Sequence, residues 1–425
     1  MNLPQRDQHS ARLNRRTWLK TLSASSAALL AAPLARAAEP KRNMKITRVR
    51  VYTPPHPNPL FNQSDHVVTI ETDAGLTGVG EGGSKELLEQ CAGRLIGKDP
   101  QYIERLWQDM TRAFFYPPGR EKLHAIGALD LALWDLKGKA QQLPVHALLN
   151  GMAREHCECY NTGGIIPGVK PGMSVKERAQ ATLEAGYRAF RLDAASAPPN
   201  TVYNPRERVT KMYEDCVQAR EGVGKNGDWC IDFHQRFDLA DAVRGCDLIK
   251  DLAPLFVEDP VREEAFREDL PILRRAVKVP LAAGEEWGYR WDFNKLVESH
   301  DIDFLRATLP NVGGITEMMK IAALCETHFV GMVPHFTGPI ATAALVNALG
   351  TFSGPLLLEY NFQGRTLPHV PVCLDFKNGR LFPNDRPGLG VELDFSQLKQ
   401  IAEITQPLTD RAKTYFRPDG SITNW

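Results

Sequence analysis

From Met44 onward, apolar and polar positions fall first into short segments and then into helical spacing. Ile46 to Tyr52, His66 to Thr72 and Thr77 to Glu81 are short segments that read as strands. A proline-rich loop, Thr53 to Asp65, separates the first pair, and an Asp73-Ala74-Gly75 turn separates the second, which predicts a three-strand meander. Lys85 to Ile96, Pro100 to Arg112 and Ala125 to Ala140 then space their apolar residues by three and four, predicting three helices. Together these elements describe an α+β domain over 44–150.

Beyond Gly151, short apolar runs alternate with helical stretches. The runs are Cys157 to Asn161, Ala189 to Asp193, Trp229 to His234, Leu255 to Asp259, Leu281 to Glu285, Phe304 to Leu309, Val330 to His335 and Leu356 to Tyr360. They recur roughly every 25 residues, the rhythm of βα units around a parallel barrel. An open doubly wound sheet would call for a glycine-rich phosphate loop after a strand, and none follows any of these runs. A barrel over 151–375 is expected, with 376–425 packing back on the 44–150 domain.

The chain has 425 residues, 43% hydrophobic and 24% charged, the composition of a globular protein with a large core. Its 51 basic residues balance 51 acidic ones, but unevenly. Arg6, Arg12, Arg15, Arg16, Lys20 and Arg36 face only Asp7 within residues 1–37, so the remainder is mildly acidic and lacks basic runs. Nucleic acid and anionic membrane both select clustered Lys and Arg, so neither is expected as a partner, and a small molecule is.

The basic amino terminus has its own order. Asn14-Arg15-Arg16-Thr17-Trp18-Leu19-Lys20 precedes a small-residue apolar run from Thr21 to Leu34 and then Ala35-Arg36-Ala37, which resembles a twin-arginine export signal. The run is too short to span a bilayer. Cleavage after Ala37 and a periplasmic mature protein without membrane attachment are expected. The eight cysteines show no CxxC pair and no framework spacing, so neither a zinc site nor a disulfide scaffold is indicated.

In a parallel barrel the chemistry lies at the carboxyl ends of the strands. Trp229-Cys-Ile-Asp232-Phe-His234 ends in Asp232 and His234, Leu255-Phe-Val-Glu258 in Glu258, and Leu281-Ala-Ala-Gly-Glu285 in Glu285. Each acid is about one βα unit from the next, which would bring three carboxylates from adjacent strands together. Crowded carboxylates repel one another unless a cation neutralises them, and hard oxygen donors select magnesium, or manganese, over zinc.

At this point the chain resembles the mandelate racemase/muconate lactonizing branch of the enolase superfamily, and within it the D-galactonate dehydratase-like sugar-acid dehydratases. The resemblance covers nearly all of Met44 to Phe395. It rests on Ile96-Gly-Lys-Asp-Pro100, Leu129-Asp-Leu-Ala-Leu-Trp-Asp135, Asp232-Phe-His-Gln-Arg236, Phe256-Val-Glu-Asp-Pro260, Gly284-Glu285, Gly313-Gly-Ile-Thr-Glu317, Val333-Pro-His335 and Pro387-Gly-Leu-Gly390. It implies a (β/α)7β TIM-type barrel with an N-terminal α+β capping domain, Mg2+ held by Asp232, Glu258 and Glu285, and a symmetric homo-oligomer. It also implies His335 as the base that takes the proton next to the substrate carboxylate, His234 as the acid for the departing 3-hydroxyl, and Glu359 as an acid that contacts the substrate or stabilises the enolate.

Two positions depart from the family pattern. Thr308 stands where the family often places an aspartate that orients the base; a hydroxyl can fix a tautomer but cannot stabilise an imidazolium with charge. Arg191-Leu-Asp193 replaces the Lys-x-Lys of racemases and cycloisomerases, and arginine cannot act as a base. Arg191 could hold the substrate carboxylate or pair with Asp193. Elimination is thereby favoured over two-base racemisation. The expected activity is an acid-sugar dehydratase, with an epimerase or cycloisomerase, or a degenerate barrel that only binds an acid sugar, as alternatives. Substrate selection is expected from capping loops at Thr53 to Asp65, with His56 and Phe61, and at Phe115 to His124.

Overall fold

The computed structural model describes residues 43–57, 64–116, 118–193, 197–262, 266–365, 367–408 and 413–424. The expected export segment at 1–37 and Phe61 lie outside the described residues.

Strands β1 (Ile46–Thr53), β2 (Val67–Thr72) and β3 (Thr77–Glu81) form the antiparallel meander, and β14 (Lys399–Ile404), from the far end of the chain, adds to β1 as a fourth strand. Helices α1 (Lys85–Ala92), α2 (Ile103–Arg112) and α3 (Arg120–Gln141) cover the sheet. Val49, Val51, Val68 and Ile70 bury against Leu88, Leu106, Trp107, Ala128 and Leu129 in one apolar cluster. Glycines set the distance between β3 and α3: a Cβ on Gly78 or Gly80 would lie 2.0 Å from a carbonyl oxygen of Ala132 or Ala128, so strand and helix touch backbone to backbone. Helix α3 also begins earlier than its apolar pattern, because Arg120, Glu121 and Lys122 mask the periodicity of a first turn whose Leu123 and His124 are buried. The expected loop Phe115 to His124 is thus helical in its second half.

A one-turn helix, α4 (Val145–Leu148), leads into the barrel. The order is β4 (Cys157–Asn161), α5 (Val175–Glu184), β5 (Ala189–Leu192), α6 (Pro205–Val223), β6 (Asp228–Asp232), α7 (Leu239–Ile249), β7 (Val257–Glu258), α8 (Phe266–Ala276) and β8 (Leu281–Ala283). Next come α9 (Arg290–Glu298), β9 (Phe304–Leu305), α10 (Ile315–Thr327), β10 (Gly331–Met332), α11 (Pro339–Leu349) and β11 (Leu358–Tyr360). Neighbouring strands pair in parallel from β4 to β10, β11 pairs with β4, and a Met332–Leu356 bridge closes the ring. Each of the eight apolar runs contains one strand, and seven helices separate them, which makes the fold a (β/α)7β barrel. A hairpin of β12 (Asp375–Lys377) and β13 (Arg380–Phe382) adds to the start of β4, and a small ribbon of β15 (Tyr415–Phe416) and β16 (Ile422–Thr423) follows.

Buried acids of the capping domain fix it over the barrel. Asp130 on α3 accepts from the backbone of Thr316 at 3.0 Å and from its hydroxyl at 2.5 Å, in the first turn of α10. Glu81, ending β3, accepts from Ala341 N in the first turn of α11 at 2.9 Å. Both satisfy free N–H groups at a helix start, where the dipole favours an acceptor. Asp135 likewise receives Val79 N and Leu389 N at 2.9 and 2.8 Å. The cap is thereby locked above the strand ends.

All eight cysteines are free thiols, seven of them buried, so their role is packing.

Candidate active site

Asp232 and Glu258 are the last residues of β6 and β7 and face each other in the parallel register. Glu285 follows β8 by two residues, and Glu359 lies in β11. Asp232, Glu258 and Glu359 are almost wholly buried. Burial of several carboxylates demands counter-charge, and two arginines provide it.

Arg306, directly after β9, is fully buried. Its Nη2 lies 2.9 Å from Glu258 Oε1, Glu285 Oε2 and Glu359 Oε2 alike, and its Nη1 donates to Tyr160 Oη at 2.6 Å and to Val333 O at 3.3 Å. Arg191 on β5 bonds Asp232 and lies 3.6 Å from Glu258. Burial pushes Glu258 well above the ordinary carboxyl range, though Arg306 pulls the other way. At Glu285 and Glu359 burial also raises the pKa, but the neighbouring charges of His335 and Arg306 outweigh it and hold both below their usual value.

His335 lies beyond β10 and is largely buried. Its Nδ1 is enclosed with no hydrogen-bond partner, and its Nε2 stands 3.8 Å from Glu285 Oε2. Thr308 does not orient it: the hydroxyl donates to Glu285 O at 2.6 Å instead. Glu359 Oε2 accepts from Phe336 N at 3.1 Å and so holds the backbone next to His335.

His234 departs from the strand alternation used to place it beside Asp232. β6 stops at Asp232, and His234 and Gln235 take left-handed backbone angles, φ 50° and 57°. The bend turns the His234 amide back onto Asp232 Oδ1 at 2.5 Å and leaves the side chain exposed. Arg236 Nη2 lies 3.0 Å from His234 Nδ1. A guanidinium can only donate, so Nδ1 accepts and the ring proton sits on Nε2.

Between cap and barrel mouth lies a cavity of about 560 Å3, lined by Pro54, His56, Glu81 and His124 from the cap and by Thr308, Phe336, Asn361 and His369 from the barrel side. Burial pushes Glu81 up to about 8 and His124 down to about 4, and it lowers His369 as well, so these three groups are neutral at pH 7, while Asp65 and Arg365 line the same cavity. The sequence marked His56 and His124 here but neither Glu81 nor His369; the signal for Glu81 was an acid closing a glycine-rich apolar strand.

Whether a divalent ion suits these residues turns on the donor set. Among the described residues no three acidic, His or Cys side chains enclose a single point as an ion cage, because Arg306 stands between three of the acids and Arg191 holds Asp232. The cluster therefore differs from the expectation of three carboxylates meeting at one point, and the reason is the two guanidiniums. The chemistry nevertheless fits a hard dication: the donors are all oxygen, Glu258 Oε2 is a buried acceptor without a partner among the described residues, and four carboxyl groups, Asp232, Glu258, Glu285 and Glu359, gather around two arginines.

Comparison with known proteins agrees with this architecture. Residues 45–150 match the mandelate racemase/muconate lactonizing enzyme N-terminal domain, and residues 174–397 match the enolase C-terminal domain-like family. D-galactonate dehydratases of Xanthomonas oryzae pv. oryzae (strain PXO99A) and Verminephrobacter eiseniae (strain EF01-2) are each 34% identical, over 90% of this chain and 100% of theirs. A solved member of the enolase superfamily from Salmonella Typhimurium superposes with TM-score 0.74 at 25% identity, covering 85% of this chain and 99% of its own. A mandelate racemase/muconate lactonizing enzyme from Jannaschia sp. CCS1, at 24% identity and TM-score 0.75 over 83% of this chain and 96% of its own, shares the fold. The chain belongs to the mandelate racemase/muconate lactonizing enzyme family of the enolase superfamily, and it is a lyase of the dehydratase kind.

Proposed function

We propose that the protein is a magnesium-dependent dehydratase of a sugar acid of the aldonate type, which removes the proton next to the carboxylate and expels the 3-hydroxyl. The observation that supports this reading is that His234 and His335 follow strands on opposite sides of the ring. His234 follows β6 by two residues and His335 follows β10 by three; the two strands are four apart in a ring of eight, with Asp232 ending β6 and Glu258 and Glu285 coming from β7 and the end of β8 between them. A substrate held there by its carboxylate meets one histidine on each side, the arrangement an elimination with separate base and acid requires.

His335 Nε2 is the nitrogen on the site side, and it takes the C2 proton. The carboxylate of Glu285, 3.8 Å away, stabilises the imidazolium, which the Thr308 hydroxyl cannot do. His234, entering the step as an imidazolium released from Arg236, gives its Nε2 proton to the departing 3-hydroxyl, which leaves as water and returns the ring to neutral imidazole. The C2–C3 double bond left behind is an enol that becomes the 2-keto-3-deoxy acid, while proton transfer through solvent resets both histidines. Asp232, Glu258 and Glu285 would hold the ion, with Arg191 and Arg306 giving way. A bound dication supplies a Lewis acid to the substrate carboxylate and so lowers the cost of charge developing there.

Arg191 is engaged by Asp232 and offers no second base, which favours elimination over racemisation. The neutral Glu81 carboxyl and His124 ring on the cavity wall, with the Thr308 and Asn361 side chains, offer hydrogen-bonding partners to the polyhydroxy end of an aldonate. The test is incubation of purified protein with Mg2+ and a panel of aldonates that includes D-galactonate, with semicarbazide detection of 2-keto acid. Solvent deuterium entering C2 without release of water would instead establish an epimerase. Export through the twin-arginine route is a separate proposal, supported by Arg15-Arg16 and the apolar run after them; an Arg15→Lys/Arg16→Lys variant should stay in the cytoplasmic fraction.

A further inference from the structure

Arg306 is the least expected member of the cluster. One terminal nitrogen of its guanidinium is shared by carboxylates from β7, β11 and the loop after β8, and the other reaches Tyr160 on β4 and the backbone after β10. A single side chain rising from β9 therefore ties together five other strands of the barrel at the level of the acids. Two of the carboxylates it holds, Glu258 and Glu285, are among the three that the proposed function assigns to a divalent ion.

We propose that Arg306 is a positioning residue that serves as a resident counter-ion: it keeps Glu258, Glu285 and Glu359 in register before a divalent ion arrives, and it weakens their hold on that ion afterwards. Guanidinium remains protonated at any working pH, so its charge cannot be shed to make room. A dication drawing on the same oxygens meets a fixed positive charge within a few ångströms, in a setting where screening is poor. Its planar fork has two further acceptors, Tyr160 Oη and Val333 O, so it can release the carboxylates and still keep partners. The metal in this protein is accordingly an exchangeable ligand rather than a structural one. This inference rests on the assignment of Asp232, Glu258 and Glu285 as ion ligands.

The test is titration of Mn2+ into the metal-free full-length protein, followed by electron paramagnetic resonance of the free ion and independent of turnover. Arg306→Gln removes the charge and should bind Mn2+ at least about tenfold more tightly than wild type, whereas Arg306→Lys, which keeps the charge, should stay within about threefold. The metal-free Arg306→Gln protein should also melt below wild type and recover on Mn2+ addition. If Arg306→Gln folds only when Mn2+ is present, the ion has replaced the guanidinium and the proposal stands; failure to fold at any Mn2+ concentration overturns it. Equal or weaker Mn2+ binding by folded Arg306→Gln overturns the counter-ion role and leaves the metal reading intact. Absence of Mn2+ binding in both proteins overturns the metal reading and this inference with it.

Discussion

Glu285 and Glu359 at the strand ends and Glu81 on the cavity wall are all buried acids, yet they end in opposite charge states. At the strand ends, Asp232, Glu258, Glu285 and Glu359 share Arg191 and Arg306, and counter-charge keeps Glu285 and Glu359 ionised in spite of burial. On the cavity wall, no cation among the described residues offsets the burial of Glu81: it accepts from the backbone at the start of α11, its Oε1 has no partner there, and burial leaves it protonated up to about pH 8. Residue type is the same in both places. What differs is the neighbour, and the difference separates a floor with ionised acids, suited to an ion and a carboxylate, from the neutral Glu81 carboxyl on the wall, suited to hydroxyls.

The same substitution should therefore act very differently in the two regions. Glu258→Gln removes one of the three proposed ion ligands from the floor, and kcat/KM should fall about 10^3-fold or more, by steady-state assay with saturating Mg2+. A Glu258→Gln enzyme with near-normal turnover would break the distinction. His335→Asn, which leaves the floor intact, should lower kcat by about 10^2- to 10^4-fold while the urea midpoint stays close to wild type. Retained turnover would remove His335 as the base.

Glu359→Gln tests the floor as a structure. Loss of one partner from a buried charge network should destabilise the protein by about 3–5 kcal/mol in urea unfolding, far more than a surface substitution would. Glu81→Gln should do the least, since it replaces a carboxyl that is already neutral by an amide of the same shape, and turnover at pH 7 should change by less than about threefold. Its signature is in the pH dependence. A folded pKa raised to about 8 from an ordinary 4.5 means that between those values the folded state keeps a proton the unfolded state has lost. Stability from this group is complete below pH 4.5 and is lost as pH rises toward 8. Wild type should thus lose on the order of 5 kcal/mol across that window on account of Glu81, and Glu81→Gln should flatten that part of the profile.

Much of this was legible in the chain. The eight apolar runs, the acids that close three of them, and the helical spacing of the cap each follow from local periodicity, and each run contains a strand. Two local inferences failed for local reasons: His234 left the strand alternation because the backbone turns left-handed after Asp232, and the start of α3 was hidden by three charged residues in its first turn.

The sequence by itself determined which residues end the barrel strands, because strand length and period are set within a few residues of chain. Only the tertiary structure decided which charges meet. Arg306 reaches acids 48, 21 and 53 residues away, Thr308 turns from His335 to the Glu285 carbonyl, and Glu81 and His369 line one cavity across nearly the whole fold. The physical reason is that Coulomb interactions and desolvation depend on distance in space and on burial. Both come into being only when the ring of strands closes beneath its cap.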